Sequence, residues 1–315
     1  MSVTSIILSI VLGAISYSML NIGMGLQKKG ASSLPKIEQQ SFWKNLKNFF
    51  TNKTWVIGFT LVQIQWFILT LALDIGSLSI VTPLMSFGMV SLIIFSYFYL
   101  KEPIALWEII GIIGIIMGII ALGLTNKENN ELETLDTMCI AIGQVKSIIY
   151  VTLLFIIAII LVILSRMRSF RNADVMFGIA AGIFDGLGAI FLKVYMGGAD
   201  FNDSSTIAAS SKRWEWWVFL VLLVTLNATA TIFLQVAYQR GKAIIVAPIF
   251  TVSAITIPVV GGIIILEEWG NLPSVFIILK ICALCIIITG AIVLSLYSVR
   301  KKLIHREVPE PQETT

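Results

Sequence analysis

The sequence predicts an all-α polytopic membrane protein of about nine transmembrane helices, built as two inverted four-helix repeats joined by a linker helix. Three observations predict it. The 315 residues are 57% hydrophobic and 13% charged, against about 25% charged residues in a soluble domain. Nine windows of the chain reach the roughly 20 mostly apolar residues that a helix needs to cross hydrocarbon. One pattern of Gly, Pro and Glu returns at a constant offset later in the chain.

The windows fall near residues 4–27, 54–73, 77–100, 104–124, 148–166, 175–196, 214–239, 244–266 and 274–297. The first lacks a basic leading segment and a small-residue cleavage site, and more spans follow it, so it is expected to be a retained helix. Between the first two spans, Phe42, Trp43, Leu46, Phe49 and Phe50 share one helical face with Lys36, Lys44 and Lys47 nearby. That pattern predicts a helix lying in the membrane interface. Trp55, Trp107, Trp214, Trp216, Trp217 and Trp269 stand at span ends, where aromatic rings anchor helices at headgroup level.

Lys and Arg in short loops set orientation. Lys28, Lys29, Lys44, Lys53, Arg166, Arg168, Arg240, Lys242 and Arg300 collect on one side, while the other has Lys127, Lys146, Lys212 and Arg213. The expectation is an N-terminus outside, a C-terminus in the cytoplasm, and residence in the plasma membrane. Anionic lipid then accounts for the net charge of +4. No nucleic-acid partner is expected; the expected partners are membrane lipid, a small ion or small-molecule substrate and, for a homodimer, a second copy of the chain.

The repeat is carried by Ala72 to Gly76 and Ile80 to Leu84, which correspond to Ala237 to Gly241 and Ile245 to Ile249. The same offset pairs Glu102 with Glu267, and one residue off it Asn21 and Lys29 pair with Asp185 and Lys193. Spans one to four thus match spans six to nine, and an unpaired fifth span must turn the second unit upside down. The expected organisation is a first repeat over 1–124, an outer loop and linker helix over 125–171, the inverted repeat over 172–298 and a cytoplasmic tail over 299–315. Inverted repeats can present matched rocking surfaces to opposite sides, with a solute site between them near the midplane.

The unit from Val175 to Tyr297, with an acid midway along its first helix and a lysine two turns later, resembles the small multidrug resistance proteins. The paired units resemble the drug/metabolite transporter superfamily. More narrowly, Asn21-Ile22-Gly23-Met24-Gly25-Leu26-Gln27-Lys28-Lys29-Gly30, and Val81-Thr82-Pro83-Leu84 leading to Leu100-Lys101-Glu102, resemble the NIPA-type magnesium transporters. That resemblance implies movement of magnesium or another divalent cation down its electrochemical gradient. The family pattern also places an acid on the second helix, where this chain has Gln63 and Gln65.

Polar residues within the spans are the candidate site. Asp185 lies near the centre of span six, where an acid costs roughly 2.5–3.5 kcal/mol. Such a carboxyl group can bind a metal cation or exchange a proton. Asn21, Gln63, Gln65, Asn227 and Gln235 are amides at membrane depth that can offer carbonyl oxygens to a cation or hydrogen bonds to an organic solute or a neighbouring helix. Lys280, in span nine, can neutralise Asp185, bind an anion or repel a cation. Pro83 and Pro248 sit early in spans three and eight at matched positions, where each removes a backbone donor and frees a carbonyl or kinks its helix. Gly182 and Gly186, in register with Gly178, give span six a small-residue face for close packing or gliding. Glu108 and Asp74 stand near span ends and are expected to face headgroups or water. The acidic outer loop with Glu128, Glu131, Glu133 and Asp136 is expected to be solvated.

Enzymatic classes find no support. The only histidine is His305, in the tail, and the chain has neither a His-Glu-x-x-His zinc motif nor a Gly-x-Ser-x-Gly elbow. Cys139, Cys282 and Cys285 are an odd set without oriented neighbours. No cofactor is expected. The function expected is transport of magnesium or another divalent cation, with proton-coupled export of a small organic cation or metabolite, and a non-transporting scaffold or receptor, as the alternatives.

Overall fold

The computed structural model describes residues 3–75, 81, 84–124, 134–170, 172–197, 204–265, 267 and 272–307. Among them every regular element is helical. Four helices come from the first part of the chain: α1 (Val3–Ser32), the short α2 (Phe42–Thr51), α3 (Lys53–Ile75) and α4 (Met85–Phe98). There follow α5 (Leu106–Leu124), α6 (Leu135–Gly143) and α7 (Val145–Met167). The remainder are α8 (Ala173–Met196), α9 (Ser204–Ser210), α10 (Trp214–Tyr238), α11 (Ala243–Ile265) and α12 (Ser274–Glu307). Eight helices among the described residues are long and apolar enough to cross a membrane, and a shorter apolar one covers Phe87–Phe98. Pro83, Glu128, Glu131, Glu133, Trp269 and residues 308–315 lie outside the described residues, so the sequence expectations for them stand without a structural counterpart.

Large apolar side chains on the outside of the bundle, such as Ile57, Phe67, Ile149 and Ile278, are exposed. That is the arrangement hydrocarbon solvent selects, because lipid imposes no cost on them while backbone groups must pair within each helix.

Two groups of helices share one local architecture. In the first, α1 runs antiparallel to α3 and parallel to α4. A methyl group at Gly58 would lie 2.6 Å from the Gly23 carbonyl oxygen, one at Gly30 would lie 2.7 Å from the Trp55 nitrogen, and one at Gly88 would lie 2.5 Å from the Tyr17 oxygen. In the second, α8 runs antiparallel to α10 and parallel to α11. Gly188 sits under Asn227 of α10, and a methyl at Gly182 or Gly186 would press on Ser253 or Ile257 of α11, at 2.4 and 2.6 Å. Two of these contacts recur at a single offset. Gly23 against Val62 recurs 165 positions later as Gly188 against Asn227, and Tyr17 against Gly88 recurs as Gly182 against Ser253.

Two further long helices, α5 and α12, pack on each other antiparallel. A methyl at Gly290 would lie 2.6 Å from the Gly111 carbonyl oxygen, and one at Gly118 would meet Ile287 at 2.4 Å. Small residues at such crossings let backbones approach where no hydrophobic force drives association. At the end of the bundle that carries Lys53, Lys101, Arg166, Arg240 and Lys242, here called the basic end, one apolar cluster joins both groups. It holds Met24, Trp55 and Leu92 from the first, with Phe177, Leu234 and Phe250 from the second.

A candidate transport site and a polar clamp

Asp185 occupies the middle of α8, between the glycines that meet α11 and Gly188, which seats the Asn227 amide of α10. The carboxyl group is half-buried and makes no hydrogen bond or ion pair among the described residues. Asn227 Nδ2 turns back to the Leu223 carbonyl at 2.9 Å, so its oxygen points away from its own helix bond. Asn21 is buried on α1, one residue from the position that the 165-residue offset matches to Asp185, and donates to the Tyr17 carbonyl at 3.0 Å. A methyl at Gly88 would touch its Nδ2, so α4 closes over this amide.

The other predicted residues are dispersed. Gln65 is buried, and its side-chain and backbone oxygens both accept from Ser16 Oγ at 2.9 Å. Gln63, two residues away, is on the exposed face of α3, as a 3.6-residue turn requires. Lys280 is buried in α12. Pro248 lies inside α11, which nevertheless continues as a helix from Ala243 to Ile265 past a second proline, Pro258. No hydrogen bond among the described residues joins Asn21, Gln63, Gln65, Asp185 or Asn227 to one another.

Gln235 belongs elsewhere. It lies near the basic end of α10, donates through Nε2 to Gln27 Oε1 at 2.8 Å, and accepts from Trp55 Nε1 at 2.9 Å. All three side chains are buried, so three helices are joined by a network with no water to compete for it. This overturns the expectation for Trp55: a ring 4% exposed and engaged with Gln235 is no headgroup anchor. Trp216 is buried likewise, stacked on Tyr195 and bonded to that residue's carbonyl at 3.1 Å.

Beside this network two helix N-termini are clamped to one another. After α4 the chain turns through Lys101 in the left-handed region, φ 55, and the Glu102 nitrogen returns to the Ser96 carbonyl at 3.0 Å. This is the helix-ending turn in which glycine is usual. It aims Glu102 at α11, where its Oε1 accepts from the first helical nitrogen, Ala243 N, at 3.2 Å and pairs with Lys28 Nζ of α1 at 2.5 Å. A carboxylate there meets both an orphan N–H and the positive end of a helix dipole.

Glu108 is the third residue of α5 and accepts from Ala105 N at 2.8 Å, one half of a capping box. Its other oxygen receives Lys242 Nζ at 3.0 Å, and Lys242 also reaches the Pro103 carbonyl. Glu108 is fully buried, so the expectation that it faces headgroups or water is overturned; capping and the lysine supply the partners a buried carboxylate needs. A cavity of about 310 Å3 opens beside the clamp, lined by Lys28, Ser32, Glu108, Asp174, Tyr238 and Lys242.

The repeat offset singled out Glu102 only as the partner of Glu267, and nothing in the spacing of Glu108 singled it out, because both stand in an ordinary loop-to-helix junction of the sequence. The Glu at the third helical position was the one legible signal. Among the described residues no three His, Cys, Asp or Glu side chains converge as a metal cage. Magnesium does not demand one, since it keeps several waters and uses one or two carboxylates.

A bundle of eight or nine apolar helices with large apolar side chains on its outside is an integral, multi-pass membrane protein. The family model described as "Magnesium transporter NIPA" matches residues 4–300, and the chain belongs to that family, which is one of transporters and not of enzymes. It is 25% identical over 262 residues to "Probable magnesium transporter NIPA9" of Arabidopsis thaliana, covering 79% of this chain and 70% of that protein. It is 21% identical over 216 residues to "Probable magnesium transporter NIPA6" of the same plant, covering 68% of this chain and 65% of the relative. No solved structure matches the chain.

Proposed function

We propose that this protein carries magnesium, or another divalent cation, across the cell membrane through a polar site at half depth, between two four-helix units inserted in opposite senses. The observation that carries the reading is Asp185: a carboxyl group in mid-span, costly to insert, that no described side chain satisfies. The amide oxygen of Asn227 stands on the neighbouring helix, and Asn21 stands on the matched helix of the other unit, one residue from the matched position. Oxygens of this kind, with retained water, suit a hard cation.

The opposed senses are supported by the order of contacts. Gln27 meets Gln235 and Ser32 meets Tyr238, so α1 and α10 run parallel. Since α8 runs against α10, α8 is antiparallel to α1 although it makes the same two helix contacts. The basic end is taken as cytoplasmic from its lysines and arginines.

The test is a flux panel on the purified protein in liposomes, with magnesium, manganese and organic cations, with and without a pH gradient. Divalent flux is expected, and Asp185→Asn is expected to abolish it. Equal flux from variant and parent overturns the site; flux of organic cations alone, driven by the pH gradient, replaces the cargo.

A further inference from the structure

We infer that α2 is a sensor of anionic lipid, and that its seating on the membrane surface sets how firmly the basic end of the bundle is closed. The helix has three faces. Asn45 and Phe49 point inward and are buried. Phe42, Trp43, Leu46 and Phe50 form an exposed apolar arc, with Trp43 75% exposed. Lys44 and Lys47 are exposed next to that arc, and Lys36 and Lys53 flank the helix and are exposed as well. Because α2 connects the end of α1 to the start of α3, it lies at the level where two membrane spans emerge. Its apolar arc continues into the exposed apolar face of α3 at Ile57. Apolar side chains rimmed by lysines at that level complement a leaflet of anionic phospholipid, acyl chains under phosphate.

The inward face is wired to the end of α10. Asn45 Nδ2 holds the Ile37 carbonyl at 2.8 Å, and Asn48 Nδ2 holds Gln40 Oε1 at 2.7 Å, so α2 fixes the loop before it. That loop grips the end of α10. Gln239 accepts from Ile37 N at 3.1 Å and donates to the Ala31 and Pro35 carbonyls, both at 3.1 Å. Glu38 pairs with Arg240, whose guanidinium lies 4.3 Å from the Phe170 ring centre. One turn along the same face, α2 presses Phe49 against Trp55, at 5.2 Å between rings, and Trp55 is bonded to Gln235. A displacement of α2 therefore reaches α10 by two routes, the loop and the tryptophan. The wiring holds whatever the cargo is, so this inference stands apart from the magnesium reading.

The test is hydrogen exchange, followed by mass spectrometry, on the full chain in nanodiscs of purely zwitterionic lipid or of lipid with an anionic phosphatidylglycerol fraction. Each lysine near an anionic surface raises partitioning about fivefold, so amides of residues 31–40 and 235–243 are expected to exchange at least about fivefold more slowly in the anionic discs. The combined variant Lys36→Gln, Lys44→Gln, Lys47→Gln and Lys53→Gln, all exposed positions, is expected to lose that difference while its amides in α5 and α12 exchange as in the parent. Equal exchange of the parent in both lipids overturns the inference, and so does a lipid difference that survives the four substitutions. Neither result bears on flux, which the liposome panel measures separately.

Discussion

Gln235 of α10 donates its side-chain amide to Gln27 of α1 across 2.8 Å, and the same Gln235 accepts the Trp55 indole N–H at 2.9 Å, so one amide holds three helices at the basic end. Replacement by leucine leaves Gln27 without its donor and Trp55 without its acceptor, in a place without water. Each orphaned group costs about 1–3 kcal/mol. Gln235→Leu is expected to lower the thermal midpoint of the purified protein more than Gln27→Leu, which orphans one group. A double-mutant cycle between the two should return a coupling of about 0.5–3 kcal/mol; strict additivity would remove the pair from the account.

Glu108 makes a sharper case, because it serves a cap and an ion pair at once. Glu108→Gln keeps an oxygen for Ala105 N and loses the charge; Glu108→Ala loses both. Removing one partner of a buried pair costs about 3–5 kcal/mol, and the alanine variant is expected at the low end because Lys242 is 21% exposed and can turn to water. The glutamine variant should cost roughly half as much in denaturant unfolding. Equal losses would mean that the cap contributes nothing.

The long helices were legible in the sequence because the bilayer demands long apolar runs and little else. Even so, α1 extends to Ser32 and not Gln27, since Lys28 and Lys29 find partners in Glu102 and over the Tyr99 ring. The polar residues pair the first span with the sixth one residue out of register, Asn21 against Asp185, whereas the contacts of Gly23 and Gly188 match at the offset of 165 carried by the later spans. The clamp was not legible. Glu102 and Glu108 look like surface residues until α11 and α5 bring their N-termini together, a relation between segments far apart in the chain. Gln63 and Gln65 show the same limit on a smaller scale: both are amides in one span, and only the helical phase against α1 decides which is buried.

At the opposite end, Glu267 pairs with Lys146 of α7, and that hydrogen bond holds its carboxyl below the ordinary 4.5. A lowered native pKa means that the ionised form is favoured by folding. The contribution is therefore present above the ordinary value and fades as pH falls through the native one. Lys146→Ala is expected to flatten the change in thermal midpoint between neutral pH and mildly acid pH below 4.5, and raised salt should do the same in the parent, since the pair is exposed. A pH profile identical in variant and parent would assign the acid limb to other carboxylates.

Two glycines at helix crossings, Gly58 of α3 and Gly188 of α8, should answer differently to a single methyl group. At Gly58 the new carbon would lie 2.6 Å from the Gly23 carbonyl oxygen and 2.7 Å from the Gln27 nitrogen, both backbone atoms. Neither can turn aside, so α1 and α3 must separate, and overpacking of this sort costs typically 1–3 kcal/mol. At Gly188 the methyl would meet the Asn227 side chain instead, 2.7 Å from its Nδ2. That amide can rotate away at the expense of its bond to the Leu223 carbonyl. Gly58→Ala is therefore expected to lower stability, measured as thermal midpoint in detergent. Gly188→Ala should leave the midpoint within about 1 kcal/mol of the parent yet lower cation flux in liposomes, because the displaced amide is the one assigned to the proposed site. If Gly188→Ala instead unfolds the protein while transport by the surviving fraction is normal, Asn227 is a packing group and its oxygen takes no part in holding the cation.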